Sequence, residues 1–304
     1  MQASSHLPRP GSPAAWLLAT RPKTLPAAAA PVILATALAW AHGPVRWDLA
    51  AACFTVALVL QIAANLANDY FDAHSGVDQP DRLGPTRVTQ TGLLRPGQVL
   101  GGLVACLVVA MAAGLFAASQ AGWWLLWLGG ACLLGTVAYT AGPVPLSRLG
   151  LGEPAALVFF GWVACTGSFV VIHGGLTHSA WAAGLIPGLH ASAIMAVNNL
   201  RDIRTDQRAG KRTLAVKLGE TGARRLPAVL IVLGNLSAGL LIPLTGQMPL
   251  WFALLLVPLS WPLLRAYRRT PISPALNGVL ARTGQWELLT CVVVAVALVL
   301  NGMV

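Results

Sequence analysis

The sequence predicts an all-α integral membrane protein with nine transmembrane helices arranged as a bundle around a central cavity. Composition is the first observation: 56% of the 304 residues are hydrophobic, and 10% are charged, whereas a soluble domain carries roughly 25% charged residues. The second observation is the recurrence of apolar stretches of about 20 residues, the length that crosses a bilayer as a helix. The third is the uneven distribution of basic residues among the connections.

Nine apolar stretches are long enough to span the membrane. Pro26 and Pro31 interrupt the first of them, but prolines are tolerated in spanning helices. The predicted spans are 25–42, 48–67, 99–118, 122–141, 153–173, 180–198, 226–245, 250–266 and 284–302.

The basic residues predict the orientation of the bundle. Nineteen of the 20 Lys and Arg residues fall on one side of the nine-helix arrangement, and Arg46 alone falls on the other. The positive-inside rule places the N-terminus and the long connections in the cytoplasm. We expect residues 1–20 to be a disordered cytoplasmic leader and 21–304 to form a single transmembrane domain. The net charge of +10 therefore describes a lipid-facing cytoplasmic surface, and nucleic-acid binding is not expected.

Two acidic motifs stand out in this apolar chain. Each places an Asn four residues before an Asp, Asn68 before Asp72 and Asn198 before Asp202, so each pair shares one face of a helix. The chain has ten Asp and Glu residues, and six lie in or near the motifs: Asp69, Asp72, Asp78, Asp81, Asp202 and Asp206. Four predicted helices separate Asp72 from Asp202. An even number of crossings returns the chain to the same side, so both motifs are predicted to face the cytoplasm.

Carboxylate and amide oxygens are the ligands that Mg²⁺ prefers, usually together with substrate phosphates. Two motifs facing one cavity therefore indicate divalent metal ions and a phosphorylated ligand. Candidate metal ligands are Asn68, Asp72, Asp78, Asp202 and Asp206. Asp202 and Asp206 are four residues apart, so they are predicted to align on one face of a helix. Interleaved basic residues fit contacts to phosphate oxygens, namely Arg82, Arg87, Arg201, Lys211 and Arg212. A solvated network of salt bridges at the membrane surface is the alternative interpretation.

Other polar residues have simpler interpretations. His190, Gln61 and Asn235 lie within spans, where interhelical hydrogen bonds are the expected role. Glu153 and Glu287 lie near the starts of spans and are expected to cap helices. All five cysteines lie in apolar segments without the spacing of a metal site.

The two motif regions carry a resemblance to a known family. The stretches NDYFDAHSGVDQPDRLGPTRVTQTGLL, from Asn68 to Leu94, and NNLRDIRTDQRAGKRTLAVKLG, from Asn198 to Gly219, resemble the signature regions of the UbiA-type membrane prenyltransferases. The stretches from Arg21 to Leu25 and from Tyr139 to Pro143 are similar to the branch of that family that acts on 1,4-dihydroxy-2-naphthoate in menaquinone biosynthesis.

The resemblance implies a Mg²⁺-dependent enzyme of the cell inner membrane. Such an enzyme transfers a polyprenyl group from polyprenyl diphosphate to an aromatic acid acceptor, here 1,4-dihydroxy-2-naphthoate, with loss of CO₂. It implies catalytic roles for Asp72 and Asp202. Asn68 and Asp72 would bind one metal–diphosphate group, and Asp202 and Asp206 the other. Residues implied in substrate binding are Asn198, Asn199, Arg82, Arg87, Lys211, Arg212, Tyr139, Arg21 and Lys23.

Two questions stay open at this point. Gly76 stands where the wider family often has an acid, so either Asp69 or Asp78 completes the first metal site. A related enzyme acting on 4-hydroxybenzoate or homogentisate would keep both motifs. A membrane transporter is the other alternative function. The acids fall at the ends of spans, however, whereas transporters usually bind their substrates at the bilayer midplane.

Overall fold

The computed structural model describes residues 7–75, 83–85, 87–140 and 149–301, and within these the side chains of 72–75, 133, 135–140 and 301 are not described. Every regular element in the described residues is helical. The α-helices are α1 Pro13–Thr20, α2 Leu25–His42, α3 Trp47–Ser75, α4 Pro96–Ala121, α5 Trp124–Thr140, α6 Gly152–Ala156, α7 Gly167–His173, α8 His178–Arg201, α9 Ile203–Arg208, α10 Leu214–Ser237, α11 Leu241–Thr245, α12 Leu256–Leu259, α13 Trp261–Arg269 and α14 Leu276–Asn301. Segments Pro22–Thr24, Ala238–Leu240 and Met248–Leu255 are 3₁₀ helices, and Leu157–Thr166 is a π-helix.

The helices confirm the predicted membrane class. Within the described residues, 8 helical segments are long and apolar enough to cross a membrane, and they coincide with eight of the nine predicted spans. The remaining prediction, 122–141, corresponds to α5, which is described over 17 residues. Residues 141–148 lie outside the described part of the chain. The count of nine therefore stays a prediction.

Part of the predicted disordered leader is a helix, so that prediction is wrong for residues 13–20. The side chain of Ser12 caps α1 by accepting a hydrogen bond from the Ala15 amide at 3.2 Å, and Pro13 occupies the first turn, where its missing N–H costs nothing. Ala15 and Ala19, one turn apart, are fully buried against α3 and α4. This burial stabilises a helix that is too short to be recognised as a span. Residues 1–6 lie outside the described part.

Helix α8 lies at the centre of the bundle, and α4 lies at its edge. Two thirds of the central window of α8 (67%) are buried within the protein, against 11% for α4. Helices α2, α10, α14 and the π-helical segment all pack against α8. The end of α8, which carries the second acidic motif, is therefore held by neighbours on several sides.

Glycines allow the π-helical segment to cross α8 closely. A Cβ added at Gly161 would lie 2.5 Å from the Gly184 carbonyl oxygen, and one at Gly188 would lie 2.8 Å from the Leu157 carbonyl oxygen. Small residues at such crossings let two backbones approach in a membrane, where the hydrophobic effect adds little to helix association. The crossing fixes the position of α8 relative to the preceding span.

Interior polar residues form the interhelical hydrogen bonds that the sequence predicts. His190 Nε2 on α8 lies 3.1 Å from Asn235 Oδ1 on α10. The same oxygen accepts from Trp286 Nε1 on α14 at 3.3 Å. Gln61 Nε2 donates to Thr24 Oγ1 at 3.4 Å. The first two contacts join α8, α10 and α14, and the third joins α3 to the 3₁₀ turn before α2. The prediction for these residues is confirmed.

The capping role expected for Glu287 is wrong, because α14 begins at Leu276 and Glu287 lies in its interior. Its side chain is fully buried, and neither carboxyl oxygen has a hydrogen-bond partner among the described residues. Glu153 does lie in the first turn of α6. Its carboxyl also contacts the second motif, as described below.

Candidate functional site

The first acidic motif occupies the last turns of α3. Asn68 is exposed, whereas Asp69 is fully buried, because consecutive residues point about 100° apart on a helix. The backbone of Asp72 continues α3, but its side chain is outside the described part, as are residues Asp78 and Arg82. The described portion of this motif therefore presents Asn68 outward and Asp69 inward.

Asp69 forms a buried ion pair with two arginines. Its Oδ1 lies 3.4 Å from Arg21 Nη2 and 3.5 Å from Arg87 Nη1, and the side chain is 1% exposed. The backbone oxygen of Asp69 also accepts from Thr89 Oγ1 at 2.8 Å. Of the two residues expected to complete the first metal site, Asp69 is thus engaged in joining the N-terminal segment and the residues after Arg87 to α3.

Asn65, which neither acidic motif indicates, takes part in the same junction. Its Nδ2 donates to the Thr20 carbonyl oxygen and to Thr24 Oγ1, both at 2.9 Å. These bonds hold the turn at Arg21, whose φ of 49° is the one positive value at a non-glycine residue in the described chain. The available signal was its position, four residues before Asp69 on the inward face of α3.

The second acidic motif lies where α8 ends and α9 begins. Asp202 is the residue between the two helices, and the Asp206 amide donates to the Asp202 carbonyl oxygen at 2.9 Å. This bond continues one helical turn across the junction, so the four-residue spacing predicted to align Asp202 and Asp206 is kept.

Arg201 organises this motif. Its Nε and Nη2 bind the two carboxylate oxygens of Asp202 at 2.8 and 2.6 Å, and Nη2 also donates to Asn198 Oδ1 at 2.8 Å. The guanidinium is 6% exposed. The position of Arg201 among the carboxylates predicts a contact to phosphate, but in the structure its side chain binds Asp202 and Asn198.

Asp206 is buried and paired with Lys211. Lys211 Nζ donates to Asp206 Oδ1 at 2.9 Å. Burial raises the pKa of the Asp206 carboxyl above its usual 3.8, the Lys211 ammonium lowers it, and the nearby Asp202 carboxylate raises it again. In this structure each of the two carboxylates has a basic partner, Arg201 for Asp202 and Lys211 for Asp206.

Asn277, in the first turn of α14, connects the two motif regions. Its Oδ1 accepts from Arg201 Nη1 at 2.7 Å, and its Nδ2 donates to the Leu83 carbonyl oxygen, also at 2.7 Å. Leu83 belongs to the connection that follows the first motif. The structure therefore places both motif regions at the same end of the bundle, as the even number of predicted crossings requires.

The remaining candidates are less closely joined. Asn199 Nδ2 donates to Glu153 Oε1 at 3.0 Å, and Glu153 is 4% exposed. Lys23 and Arg212 are exposed. The backbone of Tyr139 lies in α5, but its side chain is outside the described part.

Within the described residues, no group of three His, Cys, Asp or Glu converges as a metal site. Asp72 and Asp78 lie beyond that search.

Comparison with protein families places this arrangement among known enzymes. A family model described as "UbiA prenyltransferase family" matches residues 28–275. The chain is 39% identical over 288 residues to 1,4-dihydroxy-2-naphthoate octaprenyltransferase of Escherichia coli, covering 91% of this chain and 92% of the relative. It is 37% identical to the protein of the same name from Mycobacterium leprae, over 96% and 98% of the two chains.

Solved structures share the fold. A UbiA homolog from Aeropyrum pernix K1 aligns with a TM-score of 0.62 at 17% identity, over 92% of this chain and 98% of the homolog. A UbiA homolog from Archaeoglobus fulgidus bound to GPP and Mg²⁺ aligns with a TM-score of 0.59 at 16% identity, over 94% and 99%. At these identities the likeness establishes the architecture alone.

Proposed function

This chain belongs to the UbiA prenyltransferase family, and we propose that it transfers a polyprenyl group from polyprenyl diphosphate to 1,4-dihydroxy-2-naphthoate. The other products are CO₂ and diphosphate, and the prenylated product is demethylmenaquinol. One observation carries the choice of acceptor. Relatives that are 37–39% identical to this chain over more than nine tenths of its length are named for that naphthoate.

The donor set at the motif end of the bundle fits Mg²⁺. Asn68, Asp202 and Asp206 offer amide and carboxylate oxygens, which suit a hard cation. Asn68, Asp72 and Asp78 would hold one ion, and Asp202 and Asp206 the other. Bound Mg²⁺ supplies neutralisation of the diphosphate leaving group.

The protein's own residues supply binding, orientation and exclusion of water. Lys211, Arg212 and Arg82 place positive charge near the diphosphate as its bond to the allylic carbon breaks. Arg87 is paired with Asp69, so we assign it to the support of the first motif region. The apolar helices keep water away from the allylic cation. The ring carbon that bears the carboxylate attacks this cation, and loss of CO₂ returns the electron pair to the ring. No further oxidant or proton donor is needed.

The acceptor carboxylate needs a cation of its own. Arg21 and Lys23 are our candidates, and they differ in the structure. Arg21 is already paired with Asp69, whereas Lys23 is exposed in the 3₁₀ turn two residues later. We therefore assign the direct contact to Lys23 and the support of that turn to Arg21. We also propose that this end of the bundle faces the cytoplasm at the cell inner membrane.

The test is to incubate membranes containing the protein with polyprenyl diphosphate, Mg²⁺ and a panel of aromatic acids, measuring prenylated product and CO₂ together. We expect equal amounts of both from 1,4-dihydroxy-2-naphthoate. Asp72→Asn and Asp202→Asn are expected to abolish this activity without loss of expression. Product from 4-hydroxybenzoate or homogentisate in its place would overturn the acceptor assignment.

A further inference from the structure

Asn277 holds a place in the site that neither acidic motif predicts. It lies 75 residues after Asp202 in sequence, in the first turn of α14, yet it contacts both motif regions. Its two hydrogen bonds, to Arg201 Nη1 and to the Leu83 carbonyl oxygen, are both 2.7 Å long. The two partners of this side chain thus lie 118 residues apart in the sequence.

The bond to Arg201 completes the surroundings of a buried cation. The other side chains that bind this guanidinium, Asn198 and Asp202, belong to the same stretch of chain as Arg201. Asn277 is the partner from another helix. A guanidinium carries its donors in a rigid planar fork, so holding Nη1 from α14 fixes the orientation in which Nε and Nη2 meet Asp202.

The chemistry of the amide suits this double role. Asn offers one acceptor and two donors, so it accepts from Arg201 and donates to a backbone carbonyl at the same time. An Asp at this position would keep the acceptor but lose the donor to Leu83, and its charge would compete with Asp202 for Arg201. A Leu of similar size would lose both bonds.

We propose that Asn277 is a positioning residue: it joins the connection after the first motif to Arg201, and through Arg201 it fixes Asp202 for binding of the Mg²⁺–diphosphate group. This inference rests on the proposed function. Asn277 lies outside both motifs, yet the spacing between the two motif regions depends on it.

The test compares Asn277→Leu with the wild-type protein in two measurements. The first is the rise in Tm when geranyl diphosphate and Mg²⁺ are added to detergent-solubilised protein, because a ligand that binds the native state stabilises it. The second is the KM for polyprenyl diphosphate. Loss of a hydrogen bond to a charged group predicts a KM about ten- to a hundredfold higher and a smaller ligand-induced rise in Tm. The Tm without ligand is also expected to fall, because the buried Arg201 loses a partner, so the rise is measured from each variant's own ligand-free Tm.

Arg282→Gln is the matched control. Arg282 is an exposed residue on α14 whose side chain bonds to the Gly278 carbonyl oxygen of its own helix, so both measurements are expected to stay at wild-type values. If Asn277→Leu does not fold, Asn277→Asp serves as the second variant. It is expected to raise KM similarly, and a wild-type KM in the variant that folds overturns the proposal.

A double-mutant cycle tests the route through Arg201. If Asn277 acts by orienting Arg201, then Asn277→Leu has little further effect on KM in an Arg201→Gln background, because the two changes remove one interaction. Additive effects overturn the proposed route. The wild-type protein could bind geranyl diphosphate with Mg²⁺ without prenylating the naphthoate. That result contradicts the proposed acceptor, and the ligand-induced rise in Tm still tests the role of Asn277.

Discussion

Asp206 shows how the structure accommodates a carboxylate in an apolar chain. Its side chain is 8% exposed, and Lys211 Nζ lies 2.9 Å from Oδ1. Burial nevertheless dominates and raises the pKa of Asp206 above 3.8. This carboxyl is therefore protonated at a higher pH in the folded protein than in the unfolded chain.

Replacing Lys211 with Met is expected to raise the pKa of Asp206 further, because the ammonium is the largest influence that lowers it. Between the unfolded and folded pKa values the native state holds a proton that the unfolded chain has released, so the free energy of unfolding falls as pH rises through this window. In Lys211→Met the pH range over which the free energy of unfolding falls extends to higher pH. The pH below which prenyl transfer is lost is expected to rise with it. Measuring Tm and activity against pH checks both.

Two controls accompany that pH series. Asp206→Asn removes the titrating group and is expected to remove this pH dependence. Arg225→Gln removes a positive charge from an exposed residue of α10 and is expected to leave the profile in place. An unshifted window in Lys211→Met contradicts the importance of the ion pair.

Among the helices, Asp69 connects elements that the sequence separates. The turn at Arg21 and the segment at Arg87 both meet this carboxylate at the end of α3. Arg87 is 5% exposed, and Arg21 is 14% exposed, so Asp69 gives both guanidiniums a buried counter-charge. Losing that charge is costly because it removes an ion-pair partner from two largely buried guanidiniums at once.

Asp69→Asn is expected to lower the free energy of unfolding by about 3–5 kcal/mol, measured as a lower Tm in detergent. Asp48→Asn is the matched control, because Asp48 pairs with Arg46 at the other end of α3 with both side chains nearly half exposed. We expect no change in Tm for it, since exposed pairs contribute little. Equal Tm values for the two variants would show that the Asp69 junction is not important for stability.

The helices and acidic motifs were predictable from local patterns, whereas the residues that join them were not. Apolar length locates α2, α3 and α8, and the four-residue spacing aligns Asp202 with Asp206. Nothing in the sequence near Asn277 indicates that it meets Arg201, because that contact depends on how α14 packs against α8. Helix α1 was missed for the same reason, since its stability comes from burial of Ala15 and Ala19 by other helices.

For the molecule as a whole, the structure brings the two motif regions to one end, and the basic residues predict which side of the membrane that end faces. Arg268→Cys, at the exposed end of α13, is expected to react with a membrane-impermeant maleimide in inside-out vesicles. Arg46→Cys is expected to react in intact cells that are treated so that the reagent reaches the outer face of the inner membrane. The wild-type protein, whose five cysteines are partly or fully buried, measures the background. The opposite labelling pattern would invert the proposed orientation.

Helices α4 and α8 have nearly the same length, 26 and 24 residues, yet they are surrounded by different media. Lipid surrounds most of α4, and lipid accepts any apolar side chain of any shape. Protein surrounds α8, including the glycine crossing, where an added methyl group would overlap a neighbouring backbone. Sequence differences between species are therefore expected to accumulate in α4 and to be rare in α8. The sequence of α8 thus constrains the fold far more than the sequence of α4 does.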